Sequence, residues 1–175
     1  PSVSIDIEAL MKSANKQLNI RYRFVETRFG SFSYDPAELP VLYFTGWKEF
    51  PGWDEQTRAK LRRYLLDGGT MLIDSSCGRE EFNQSVVSAL AELFPHRELH
   101  LLPSDHPIYH CYHQIDRLFF RDGKERKMLK SSNLGVRGIN IGSRTAVVFC
   151  PIDLSSGWDA ARNPIAGGKL YERRD

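Results

Sequence analysis

The stretch PVLYFTGWKEFPGWDEQTRAKLRRYLLDGGTMLIDSSCGREEFNQSVVSALAEL, residues 40–93, switches twice from a strand-like to a helix-like period. Pro40 to Gly46 is a short, nearly unbroken apolar run closed by glycine. That is the pattern of a strand covered on both faces, and a central parallel strand is expected here. Asp54 stands at an N-cap position, Glu55 complements the helix N-terminus, and Leu61, Tyr64 and Leu65 form an inward stripe. Gly68 and Gly69 can take the positive φ that ends such a helix. Thr70 to Asp74 reads as a second strand. Past Ser75-Ser76-Cys77-Gly78, Glu80 and Glu81 open another helix whose one face carries Phe82, Val86, Leu90 and Leu93, with Pro95 just beyond its end.

Upstream, Ile7, Leu10, Met11, Ala14 and Leu18 recur at three- and four-residue steps, which predicts an amphipathic helix over residues 4–19 with Ser4 or Asp6 as N-cap. In IRYRFV, Ile20, Tyr22 and Phe24 alternate with Arg21 and Arg23, the period of an edge or near-edge strand. Downstream, Leu99 to Leu102 supplies another strand. Gly138 to Ile141 and Thr145 to Phe149, separated by Gly142-Ser143-Arg144, read as a hairpin. From Leu154 onward turn-forming residues dominate, and 154–175 is expected to be an irregular surface tail.

Helix and buried strand alternate through the first hundred residues. The expected fold is therefore α/β: a three-layer, doubly wound sandwich with a mostly parallel sheet and an antiparallel C-terminal hairpin. Residues 1–153 are read as one domain. Because the chain opens on a helix, where a doubly wound domain opens on a strand, its natural first strand is expected to lie upstream.

Composition narrows the function. With 24 Lys+Arg against 22 Asp+Glu, a net charge of +2 and 41% hydrophobic residues, the chain looks like an ordinary globular domain. Disorder, collagen and coiled coil are excluded, and the charge does not point to nucleic acid. No apolar run reaches the ~18–20 residues of a membrane span, and no leader-like segment precedes the first helix. Three cysteines, Cys77, Cys111 and Cys150, cannot all pair within one molecule and lack Cys-x-x-Cys spacing, which favours reduced thiols. No P-loop or GxGxxG is present, so no nucleotide cofactor is expected.

Three segments together resemble a bacterial family of unknown function, DUF4159, within the class I glutamine amidotransferase-like fold. They are Leu42-Tyr43-Phe44-Thr45-Gly46; Leu61-Arg62-Arg63-Tyr64-Leu65 followed by Gly68-Gly69; and Leu93-Phe94-Pro95 leading to Leu102-Pro103-Ser104-Asp105-His106-Pro107. The resemblance covers about residues 40–150. The Tyr64-to-Gly69 helix end and the Asp105-His106-Pro107 segment are also similar to the trehalose-utilisation ThuA-like proteins, in fold rather than reaction. The resemblance implies a flavodoxin-like architecture and a place in a larger envelope protein, periplasmic or membrane-associated through other regions.

Chemistry-bearing residues gather around the expected C-terminal edge of the sheet. Cys77 lies between a strand and a helix, where a tight turn and helix N–H groups suit a nucleophilic thiolate. Backbone N–H groups after Cys77 and near Gly46 would then form an oxyanion hole. Against catalysis, Ser75 stands where class I amidotransferases carry glycine, and no histidine follows His113. The alternative is a small residue in a β-to-α turn. His106 can act as a general base oriented by Asp105 or Asp74, or can fix its own turn by hydrogen bonding ahead of Pro107.

His106, His110 and His113 have the spacing of one helical face, but Tyr109 and Tyr112 are interleaved and no metal is assigned. Trp47, Phe50 and Trp53 form either an aromatic rim or a staple for the Asp54 helix. The basic run Arg117, Arg121, Lys124, Arg126, Lys127 and Lys130, with Phe119 and Phe120 beside it, is explained equally by a solvated loop or by phosphate binding. Cys111 and Cys150 read as structural. The expectation is a non-catalytic module binding a small molecule or protein near Gly46, Trp47, Asp74, Cys77, Gly78 and His106. The alternative is a cysteine-dependent hydrolase or amidotransferase-like enzyme using Cys77, His106 and Asp105.

Overall fold

The computed structural model describes residues 3–115, 118–121, 128–131, 135–155 and 158. In chain order the elements are α1 (Val3–Leu18), β1 (Val41–Gly46), α2 (Glu55–Leu66), β2 (Thr70–Ser75), α3 (Glu80–Leu93), β3 (His100–Leu101), β4 (Leu118–Arg121), β5 (Met128–Ser131), β6 (Arg137–Ile141) and β7 (Arg144–Cys150). Two compact units divide them. One, the sheet unit, comprises Thr27–Leu102 and Gly135–Asp153; the other comprises Pro1–Glu26, Pro103–Leu134 and Leu154–Asp175.

The sheet unit is mixed α/β. Its five strands run in the order β1-β2-β7-β6-β3. β1–β2 and β2–β7 are parallel, whereas β6–β7 and β3–β6 are antiparallel, so the sheet is half parallel rather than mostly so. The apolar run closing on Gly46 is an edge strand. The central strand is β7, where Ala146 to Cys150 are all buried, as a strand covered on both faces requires. Val41, by contrast, is 56% exposed.

Register separates the two faces of the sheet. Leu42 pairs with Met71, Phe44 with Ile73, Met71 with Val147 and Ile73 with Phe149, and these side chains share one core with Leu61, Tyr64, Leu65, Phe82, Val86, Leu90 and Leu93. Both helices of the unit therefore cover the same face. They also meet each other: Arg62 Nε donates to Leu93 O at 2.9 Å, and Arg58 bridges Glu92.

Local chemistry explains the boundaries of α2. Asp54 caps it, accepting the Thr57 N–H at 2.8 Å and the Thr57 hydroxyl at 3.1 Å. At the other end Gly68 adopts φ +119°, and the Tyr64 ring occupies the space a Gly69 side chain would need. Arg144 closes the same end: its guanidinium donates to Leu65 O at 2.5 Å, Gly69 O at 2.7 Å and Thr70 Oγ1 at 3.3 Å. The predicted C-terminal hairpin is present as β6–β7, with Gly142 at φ +61° in its turn.

In the other unit, α1 begins at Val3, so Ser4 and Asp6 fall inside the helix rather than capping it. Acidic and hydroxyl residues suit the first turn as well as the cap, and spacing alone does not separate the two. The expected strand at Ile20–Val25 does not form. The Asn15 side chain instead holds the Tyr22 backbone, its Nδ2 donating to Tyr22 O at 2.8 Å and its Oδ1 accepting the Tyr22 N–H at 3.0 Å. β4 and β5 pair antiparallel where a solvated loop was one expectation. The side chains of the basic run around them, and most of the 154–175 tail, lie outside the described residues.

Candidate functional site

The parallel strands end together. Gly46 is in register with Ser75, and Asp74 with Cys150, so the loops after β1, β2 and β7 leave one edge of the sheet unit. In open α/β sheets this carboxyl edge is where ligands bind.

After β2 the chain makes a single tight turn, Ser76–Gly78, before α3. Cys77 takes φ 60° and ψ 13°, the left-handed region that a residue with a Cβ enters at a cost of roughly 1–2 kcal/mol. Gly78 follows at φ +59°. The sequence predicted this strand–turn–helix placement, and Cys77 is exposed there.

A carboxylate from β7's far end holds the turn. The Cys77 N–H donates to Asp153 Oδ2 at 2.9 Å, and Asn83, in the first helical turns of α3, donates through Nδ2 to Pro151 O at 3.1 Å. These two bonds tie the β2–α3 loop to the segment after β7. Nearby, the Oγ of fully buried Ser75 and the Oδ1 of Asn83 are buried polar atoms with no partner among the described residues.

The other site candidates separate by burial. Gly46 serves packing: a Cβ there would lie 2.3 Å from Phe82 Cε2, so α3 approaches the strand only because glycine is present. Asp74 is fully buried, and its Oδ2 accepts the Tyr43 hydroxyl at 2.9 Å while its backbone oxygen accepts the Thr45 hydroxyl at 2.9 Å. The aromatic trio divides. Phe50 and Trp53 pack with Phe44 and Phe29 at centroid separations of 5.0–6.3 Å, whereas Trp47 is 57% exposed with Lys48 Nζ 4.7 Å above its ring. Two belong to the aromatic side of the core, and one is a surface group.

Cys150, beside Asp74's strand, is structural as expected. Burial pushes its thiol up to about 12, with the Asp74 and Asp153 charges adding to the effect. Cys111 is exposed, its thiol donating to Ile108 O at 3.9 Å.

Asp105 and His106 belong to the other unit, not to the sheet unit that carries Cys77. His106 fixes its own turn: with φ −61° and ψ 136°, the extended geometry imposed by Pro107, its Nδ1 accepts the Ile108 N–H at 3.2 Å. The turn spans only Pro107–Tyr109, so His106, His110 and His113 do not share a helical face. His110 Nε2 instead pairs with Ser104 O at 2.8 Å. Among the described residues no group of three His, Cys, Asp or Glu converges as a metal site.

Sequence reasoning missed Asp153. Its position just past a buried apolar strand was the available signal, since carboxyl-edge loops supply site residues in this class of fold. No curated protein matches the chain. The family model described as domain of unknown function (DUF4159) matches residues 5–173, and the chain therefore belongs to that family.

Proposed function

We propose that this chain is a non-catalytic binding module of a larger bacterial envelope protein, with the class I glutamine amidotransferase-like, three-layer flavodoxin-like fold as its scaffold. Its working surface is the carboxyl edge of β1, β2 and β7, and its ligand is a small molecule or a protein segment. Among the described residues no helix is long and apolar enough to cross a membrane. Attachment to a membrane or the periplasm thus belongs, on this reading, to other parts of the protein.

The observation that carries the proposal is the Cys77 turn. Its backbone N–H is held by the Asp153 carboxylate, which fixes the rim loop to the segment after β7 as a shaped surface. The histidines of the sheet unit lie elsewhere. His96 follows the 14-residue α3, which spans about 21 Å from the turn. His100 lies on β3, three strand positions and about 14 Å from β2. Exposed Trp47 at the end of β1 offers the amphipathic contact surface typical of binding rims.

One observation favours a second reading. A non-glycine residue at φ 60° in the short turn between a strand and a helix resembles the elbow of a nucleophile, and such strain gathers at active sites. On that reading Cys77 is the nucleophile of a hydrolase or amidotransferase-like enzyme. Iodoacetamide labelling of the native chain, resolved by peptide mass spectrometry, separates the two. The binding module requires Cys77 to alkylate at the rate of exposed Cys111, while buried Cys150 stays protected. A Cys77 rate tenfold or more above that of Cys111, on the order of what activated thiols show, overturns the binding reading.

A further inference from the structure

Helix α1 ends with Asn19 at φ 52° and the Ile20 N–H returning to Asn15 O at 3.2 Å, a Schellman-type stop. Beyond it, Ile20 to Val25 keeps a strand's alternation of apolar and cationic residues without a β partner among the described residues. Asn15 stands in for that partner. Its side-chain amide satisfies both the N–H and the C=O of Tyr22, the same pair of bonds a neighbouring strand makes to one residue. A chain running straight through such a residue turns the adjacent peptide groups to the opposite side. Extended backbone on either side of Tyr22 would turn the N–H and C=O groups of Arg21 and Arg23 away from Asn15. No hydrogen bond occupies them among the described residues. Tyr22, Phe24 and Val25 are 59%, 39% and 62% exposed, and both arginines are exposed as well.

We propose that Arg21–Val25 is a strand-addition edge that receives an acidic partner segment, an extended chain in which Asp or Glu alternates with apolar residues. An open backbone edge with a β-patterned sequence pairs with another chain unless charge or shape forbids it. Charge selects the occupant. In antiparallel pairing with a second copy, the open edge sets Arg21 opposite Arg23, or Arg23 opposite itself, and like charges directly opposite are destabilising. An acidic segment converts the same positions into opposite-charge pairs. Its apolar residues then fall beside Tyr22 and Phe24 on the other face, as in β-augmentation complexes. This proposal does not rest on the reading of the sheet unit's rim.

Two fluorescent peptides test the proposal on the full chain: one alternating Val and Glu over seven residues, the other alternating Val and Lys. By anisotropy, the Val/Glu peptide is expected to bind and the Val/Lys peptide not to. The double variant Arg21→Glu, Arg23→Glu should weaken Val/Glu binding by about tenfold and admit Val/Lys. Hydrogen exchange on the unmodified chain supplies the backbone readout, with slowed exchange expected at the Arg21 and Arg23 amides when Val/Glu peptide is added. Three results would overturn the proposal: binding without slowed exchange at those amides, preference unchanged by the double variant, or amides already protected in a concentration-dependent dimer.

Discussion

Replacing Gly46 with Ala drives a methyl group into the Phe82 ring. The new Cβ would sit 2.3, 2.8 and 3.1 Å from Phe82 Cε2, Cδ2 and Cζ. Comfortable carbon–carbon contact is about 3.5–4.0 Å, so the closest overlap exceeds about 1 Å. The ring has nowhere to go: Phe82 is 1% exposed and packs against Phe44 at a centroid distance of 5.7 Å. Overpacking of this kind costs about 1–3 kcal/mol, and the depth of overlap places Gly46→Ala near the upper figure. For a chain of this size that lowers Tm by about 6–12 °C. Shrinking the partner should restore part of the loss, so Phe82→Leu combined with Gly46→Ala should be less damaging than the sum by about 1 kcal/mol. Urea unfolding of the four proteins, followed by far-UV circular dichroism, reads both quantities. Gly46→Ala within about 0.5 kcal/mol of the parent, or strictly additive losses, would refute the claim that glycine is there to admit α3.

Three further outcomes follow from the same contacts. Arg144→Ala removes the cation that holds Leu65 O, Gly69 O and Thr70 Oγ1, and should cost about 2 kcal/mol in the same unfolding assay; Arg144→Lys should recover little, since one ammonium cannot span the fork. Cys77→Gly should be more stable than Cys77→Ala by about 1 kcal/mol, because only glycine relieves the left-handed backbone, and equal melting temperatures would contradict that reading. The Thr57 N–H, followed by its hydroxyl, holds the Asp54 carboxyl below the ordinary 3.8, so its contribution is fully present above that value and lost as pH falls through the lowered native value; Asp54→Asn should flatten that part of the acid-unfolding profile.

What could be read from the chain itself was local. The Asp54 cap, the Leu61-Tyr64-Leu65 stripe, the Phe82-Val86-Leu90-Leu93 face and the β6–β7 hairpin each depend on neighbours within a few residues, and each is present. The same holds for His106, whose backbone is fixed by the proline that follows it. Misreadings arose where a distant or competing partner decides. An apolar run cannot say whether it is central or peripheral, and β1 is an edge because β7, a hundred residues later, takes the middle position. Ile20 to Val25 has a strand's period, but one amide from Asn15 captures its backbone first. At the rim, the placement of Cys77 was legible because strand, turn and helix are contiguous. Its bond to Asp153, 76 residues away, left no local trace.

The most direct test of the account maps where ligands land. Backbone and indole ¹H–¹⁵N resonances of the full chain, titrated with a small-molecule fragment set, should shift together at Gly46, Trp47, Ser75 to Gly78 and Asp153. Shifts gathered instead at the opposite ends of these strands, around Val41, Thr70 and Arg144, would contradict a working surface at the carboxyl edge.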